Sequence, residues 1–248
     1  MLVPQMLKQS GKNLKVGFFL HTPFPSYEVF RCHPQRKELL AGVLGADLIG
    51  FQTFGYMRHF RSSAMRLLGA DCDSMVIRCG DRKCYMGVFP IGANVQSFQA
   101  ESKKARFRKK LADFKRIYRH KKVVLSVERL DYSKGIIRKL EAIDRFLNKW
   151  PDKNNIVFIF ISVPSRDEVP EYAQLKANIE SMIGRLNGKH ATVENTPIHF
   201  MYKSVDFTEL CALYRLADVA MVTPLMDGMN LVAKEFVACR PEFTGALI

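Results

Sequence analysis

Two cations, Arg129 and Lys134, stand in "VERLDYSKG", between two stretches of different character. The preceding "KKVVLSV" is a β-branched run. The following "IIRKLEAIDRFLNKW" sets Ile136, Leu140, Ile143, Leu147 and Trp150 at helical spacing. The segment therefore reads as strand, loop and helix, with Gly135 at the helix entrance. A helix N-terminus presents unpaired N–H groups and a partial positive charge, which suit phosphate. Arg129 and Lys134 would add two full charges there, enough to neutralise a diphosphate without a metal. An exposed loop with ordinary surface cations is the alternative for this segment taken alone.

Other loops offer related chemistry. "MDGMN" precedes the helical "LVAKEFVA". Gly228 permits close backbone approach or a positive φ, and Asn230 can cap the helix. Glu235, just over one turn in, could accept from a ribose diol or simply be solvated. "PSR", Pro164 to Arg166, ends the apolar run "NIVFIFISV". His21 ends the apolar "LKVGFFL", and Pro23 and Pro25 around Phe24 stiffen the loop that aims it. A strand-end histidine is equally at home as a structural group. No Walker A string is present, and the glycines do not follow GxGxxG after the first strand, so ATPase and NAD readings are weak. Cys32, Cys72, Cys79, Cys84, Cys211 and Cys239 form no CxxC and show no metal-ligand spacing. They fit reduced thiols in a cytosolic protein.

The elements that must hold these residues alternate. Strands are expected at 14–20, at "DLIGF", "SMVIR" and "CYMGVFPIG". Between them lie one helix from Pro34 to near Gly45 and another carrying Met57, Phe60, Ala64 and Leu67. In the second half, "VVLSV", "NIVFIFISV", "IHFMYK" and "DVAMVTP" read as strands. One helix there carries Tyr172, Leu175, Ile179 and Met182 and stops before Gly188. Another, capped by Asp206 and Glu209, carries Phe207, Leu210 and Tyr214. Apolar strands separated by amphipathic helices imply parallel sheets covered on both faces. Ligands of such sheets bind beyond the carboxyl ends of the strands.

A chain of 248 residues with 48% hydrophobic content can bury one large core or two modest ones. Its +14 charge is concentrated in "ESKKARFRKKLADFKRIYRHKK", where eleven Lys and Arg face only Glu101 and Asp113. The same stretch puts Phe107, Leu111, Phe114 and Tyr118 on one helical face, so the charge is the wet side of an amphipathic connector. No nucleic-acid-binding signature accompanies it. No apolar run is long enough to cross a bilayer, so neither nucleic acid nor membrane is an expected partner. Three parts are expected: 1–100 as a first Rossmann-like domain, 101–122 as the basic connector, and 123–248 as a second domain. Val3 to Leu7 and the final "TGALI" read as cut elements, an edge strand at each end.

Taken together, "GFFLHTPFPS", "ADLIGFQT", "VFPIG", "SVERLDYSKG", "PSR" and "VTPLMDGMNLVAKEF" resemble, in the same order, the α,α-trehalose-phosphate synthases, UDP-forming. The resemblance covers essentially the whole chain, and ERLDYSKG with DGMNLVAKE is highly specific. It implies an α/β fold of the GT-B type, two Rossmann-like domains facing a cleft, both incomplete here. It implies a retaining transfer of glucose from UDP-glucose to glucose 6-phosphate, with no cofactor or metal. By the same resemblance Arg129 and Lys134 clamp the diphosphate. Asp227, Gly228, Met229, Asn230, Leu231, Val232, Ala233, Lys234 and Glu235 line the donor site, with Glu235 on the ribose. Ile161 and Val205 fall near the uracil, Arg166 near the acceptor phosphate, and His21 near the transferred glucose. His21, Arg129, Lys134 and Asp227 form the implied catalytic set. Met226 stands where the family usually has Arg. The resemblance also implies that the chain is an internal fragment without the first acceptor-binding loops, inactive by itself. It admits a homo-oligomer or a trehalose-phosphate phosphatase as partner. The rival readings are an inactive synthase-like module that binds sugar nucleotide or regulates, and another GT-B enzyme, which DGMNLVAKE disfavours.

Overall fold

The apolar run ending at Leu20 becomes an edge strand of a sheet, with Phe18 and Leu20 part-buried against a core that includes Ile49 and Phe51. The computed structural model describes residues 1–80, 82–150, 155–166, 168–242 and 244–248. These fall into two α/β units, Met1–Ile91 and Gly92–Ile248.

The first unit runs α1 (Val3–Gln9), β1 (Gly17–Leu20), α2 (Tyr27–Phe30), α3 (Arg36–Val43), β2 (Leu48–Phe51), α4 (Phe54–Leu68), β3 (Asp71–Asp73), β4 (Val76–Cys79) and β5 (Arg82–Val88). Its sheet order is β1-β2-β5-β4-β3. Strands β1, β2 and β5 are parallel, but β3, β4 and β5 pair antiparallel. The expectation of a wholly parallel sheet is corrected here. Only Ser74 and Met75 separate β3 from β4, too few residues for a crossover. Val3 to Leu7 is a helix rather than an edge strand. Pro4 opens it, and a Cβ on Gly45 of the facing segment would stand 2.2 Å from Gln5 N. Helix α4 forms as its spacing predicts: Thr53 caps it through Tyr56 N, Gly69 ends it at φ 65°, and Met57, Phe60 and Ala64 are buried.

The second unit begins with α5 (Val95–Ser102) and α6 (Ala105–Ile117). It continues through β6 (Lys122–Arg129), α7 (Ile136–Lys149), β7 (Ile156–Val163), α8 (Pro170–His190), β8 (Ile198–Met201), α9 (Phe207–Leu216), β9 (Val219–Ala220), α10 (Leu231–Ala238) and β10 (Ala246–Leu247). Every pair in its sheet, β10-β9-β6-β7-β8, is parallel. The basic stretch is part of this unit rather than a separate connector, and the unit starts at Gly92 rather than near 123. Phe107 is buried, with Leu111, Phe114 and Tyr118 packed beside it on the core that includes Cys211 and Tyr214. Glu101 fastens the join, accepting from Lys104 at 2.6 Å, Arg106 at 2.9 and 3.1 Å and Thr208 at 2.6 Å. Helix α8 runs through Gly188 to His190, three residues past its expected stop. Its last turn is held by Lys189 and His190, both bonded to Asp144 of α7 at 3.0 and 2.7 Å.

Candidate functional site

The second sheet changes direction at β6. The chain goes from β6 outward to β7 and β8, then returns to lay β9 on the other side of β6. Such a switch point opens a crevice at the carboxyl ends of the two strands. The loops after β6 and β9 are the ones that carry Arg129–Gly135 and Asp227–Asn230.

These loops are joined. Leu225 N and Met226 N donate to Ser133 O at 2.7 and 3.2 Å. Lys134 Nζ donates to Asp227 Oδ2 at 2.7 Å, and Asn230 Nδ2 donates to the same oxygen at 2.9 Å. Burial raises the Asp227 carboxyl, but the bonds from Lys134 and Asn230 and the lysine charge outweigh it and hold it below the usual value. Asn230 caps α10 as expected, its Oδ1 accepting from Ala233 N at 3.0 Å. Gly135 sits at φ 67°, where a Cβ would meet the Leu225 side chain at 3.1 Å and Thr223 O at 3.3 Å. Glycine is needed there for both conformation and approach.

Tyr132–Lys134 form a single 3-10 turn capped by Asp131, which accepts from Ser133 N at 2.9 Å and Ser133 Oγ at 2.7 Å. Tyr172 OH donates to Asp131 Oδ2 at 3.1 Å, and Arg166 Nη1 donates to Tyr172 OH at 2.7 Å. The "PSR" loop is therefore tied to the Arg129–Gly135 loop through the first turn of α8. Burial raises Asp131, but Ser133, Tyr172 and the Arg166 charge hold it low. Arg166 adopts φ 55°, a left-handed conformation uncommon outside glycine. Arg129 is exposed at the end of β6, while the next residue, Leu130, is buried.

Beneath the loop lies a buried polar cluster that the sequence reading passed over. Lys139 Nζ donates to Glu128 Oε2 at 2.5 Å and to Ser126 Oγ at 3.0 Å. Ser126 Oγ lies 3.1 Å from Met221 O of the segment after β9. The Lys139 and Glu128 side chains are 2% and 6% exposed. Burial pushes Glu128 up and Lys139 down, against the attraction between them. A signal was available: Lys139 falls between Ile136 and Ile143 on the apolar stripe of α7.

The remaining expected residues divide. Glu235 lies part-buried on α10 and accepts from Tyr214 OH at 2.8 Å. Gly228, Met229, Leu231, Val232, Ala233 and Lys234 are all part-buried around the same helix entrance. Val205 is part-buried just before α9. Ile161 is 0% exposed inside the core, so its side chain offers no surface to a ligand. Met226, where a cation was expected by resemblance, is 61% exposed. His21 belongs to the first unit, exposed after β1, with its ring 4.7 Å from that of Phe19. Phe24, between the two prolines, is buried against Phe30 and Phe60 and anchors that loop.

An apolar cavity of about 440 Å³ lies elsewhere, lined by Val124, Ile143, Phe146, Phe158, Val219 and Met221. Its polar groups, Lys122 and Asp218, bond each other at 3.0 Å, so it lacks converging free polar groups for a sugar nucleotide. Among the described residues no group of three His, Cys, Asp or Glu could hold a metal, and no helix is long and apolar enough to cross a membrane.

Residues 1–248 match the model of the glycosyltransferase family 20. A Saccharomyces cerevisiae protein named α,α-trehalose-phosphate synthase [UDP-forming] 56 kDa subunit is 44% identical over 254 residues, covering 100% of this chain and 51% of its own length. A trehalose-6-phosphate structure from E. coli, bound with UDP-2-fluoro glucose, superposes with a TM-score of 0.92 at 34% identity, over 99% of this chain and 55% of that one. The Burkholderia xenovorans α,α-trehalose-phosphate synthase (UDP-forming) in complex with glucose-6-phosphate gives 0.90 at 34%, over 99% and 55%. The chain spans from about a third to about half of the length of the curated relatives it matches, 34% and 51% for two of them. Its α/β architecture is that of the GT-B glycosyltransferases. With the family model matched from end to end, the chain belongs to glycosyltransferase family 20.

Proposed function

We propose that this protein transfers glucose from UDP-glucose to glucose 6-phosphate, with retention, giving trehalose 6-phosphate and UDP. The observation that supports this best is the meeting of the two phosphate-type loops at the switch point of a parallel sheet, fastened through Lys134 and Asp227. The names of the matched relatives point the same way.

The chemistry follows from where charge develops. Breaking the bond between glucose and the diphosphate leaves negative charge on the β-phosphate, and cations already in place lower that barrier most. Arg129 and Lys134 take this role, assisted by the amide-rich entrances of α7 and α10. Lys134 must then share itself between phosphate and Asp227, which orients it before the donor arrives. Asp227 and the α10 entrance face the donor sugar, and Glu235 takes the ribose. Arg166, held by Tyr172, receives the acceptor phosphate. Retention fits front-side attack, in which the leaving phosphate takes the acceptor's proton, so the two-carboxylate arrangement of glycosidases is not required.

For location, free cysteines throughout fit a reducing, cytosolic compartment. For partners, a homo-oligomer or a complex with a trehalose-phosphate phosphatase is the matching proposal, supported by a relative named as a subunit. The test is turnover of the whole protein with both substrates, read as UDP release and trehalose 6-phosphate formation. Product formation that needs both substrates is expected. Tight UDP-glucose binding with no product would favour a sugar-nucleotide-binding module instead.

A further inference from the structure

Tyr214 is the largest fully buried side chain of the second unit, yet it carries a hydroxyl. That hydroxyl donates to Glu235 Oε2 at 2.8 Å. The ring itself is fixed, edge-on to Phe236 with centroids 6.4 Å apart. The backbone around it is fixed too. Arg240, just beyond α10, donates through Nε to Tyr214 O at 3.1 Å and through Nη2 to Arg215 O at 3.3 Å and to Ala217 O. Helices α9 and α10 are therefore fastened at several points, and one of them is the Glu235 carboxylate. Burial, the Glu235 charge and the bond itself all push the Tyr214 phenol up, so it stays a donor across the accessible pH range.

A carboxylate can accept about four hydrogen bonds, and Tyr214 uses one. A free glutamate side chain loses rotamer freedom when it is ordered. A phenol that has already fixed the carboxylate removes part of that cost before a ligand arrives. We propose that Tyr214 is a positioning residue that holds Glu235 as an acceptor for ribose hydroxyls, so that preference for a ribonucleoside over a 2′-deoxyribonucleoside diphosphate runs through the Tyr214–Glu235 hydrogen bond. This rests on the reading of Glu235 as the ribose contact. A site built to accept from a hydroxyl discriminates against the analogue lacking it, because its acceptor is then left unpaired.

The probes are UDP and 2′-deoxy-UDP, titrated calorimetrically into this chain and into Tyr214→Phe. The unaltered chain should favour UDP by about tenfold or more. Tyr214→Phe should bind 2′-deoxy-UDP within about twofold of the unaltered chain while its preference for UDP shrinks to about threefold or less. Should that variant fold poorly, the titrations are run with a stabilising osmolyte and repeated on Tyr214→Met, which also lacks the hydroxyl. Equal weakening of both ligands would make Tyr214 merely structural and overturn the proposal. Retained preference in Tyr214→Phe would overturn it while leaving the Glu235 reading intact. Binding of UDP with no preference in the unaltered chain would remove the Glu235 reading itself, and the proposal with it.

Discussion

Lys134 Nζ and Asp227 Oδ2 lie 2.7 Å apart, joining the loop after β6 to the loop after β9 although 93 residues separate them in sequence. This bond sets the geometry of the candidate diphosphate site before any ligand is present. Its strength depends on Asp227 being ionised. The folded-state carboxyl lies below the usual Asp value, so its contribution is complete above about pH 4 and is lost as pH falls through the lower folded value.

Asp227→Asn should therefore lower stability at pH 7 by about 1 kcal/mol, a figure reduced for the pair's partial exposure. Urea midpoints measured from pH 7 down to pH 3 check this. The gap between the two proteins should hold steady down to about pH 4 and narrow below it. A gap that widens on acidification would contradict the pairing.

The Glu128–Lys139 pair under the loop should behave differently. Removing one partner leaves a buried charge, so Lys139→Met should cost about 3–5 kcal/mol. Replacing both, as Glu128→Leu with Lys139→Met, should recover most of that loss. Denaturant unfolding of the three variants tests this, and full additivity of the single losses would show that the two side chains do not act together.

Turnover of the whole protein should persist in excess chelator. The reason is positive: Arg129, Lys134 and the helix entrances supply the charge that would otherwise come from a cation at the diphosphate. Complete loss of rate, restored by Mg²⁺ or Mn²⁺, would show that these groups do not suffice.

Much of this was legible in the sequence because it depends on local rules. Apolar periodicity gave α4 and α7, Asn230 and Asp206 announced their caps, and Gly135 announced a helix entrance. What escaped depends on partners distant in sequence. The basic stretch looks like a linker until Phe107 finds the core beside α9 and Glu101 gathers Lys104, Arg106 and Thr208. Strand β3, "DCD", has too little apolar character to announce itself, and only its pairing with β4 makes it a strand. Lys139 does not stand out by residue type, although its position on the α7 stripe argues for burial. The bond from Lys134 to Asp227 is not legible in the sequence, because nothing local to either residue indicates the other.

The central claim is that the loops after β6 and β9 bind a nucleoside diphosphate through Arg129 and Lys134. Each cation is expected to contribute roughly 1.5–3 kcal/mol as a charge-assisted bond. Calorimetric titration of UDP into the unaltered chain and into Arg129→Ala/Lys134→Ala tests it most directly. The account predicts that UDP binding weakens by about a hundredfold or more in the double variant, while thermal unfolding still reports a folded protein. UDP affinity unchanged in a folded double variant would contradict it.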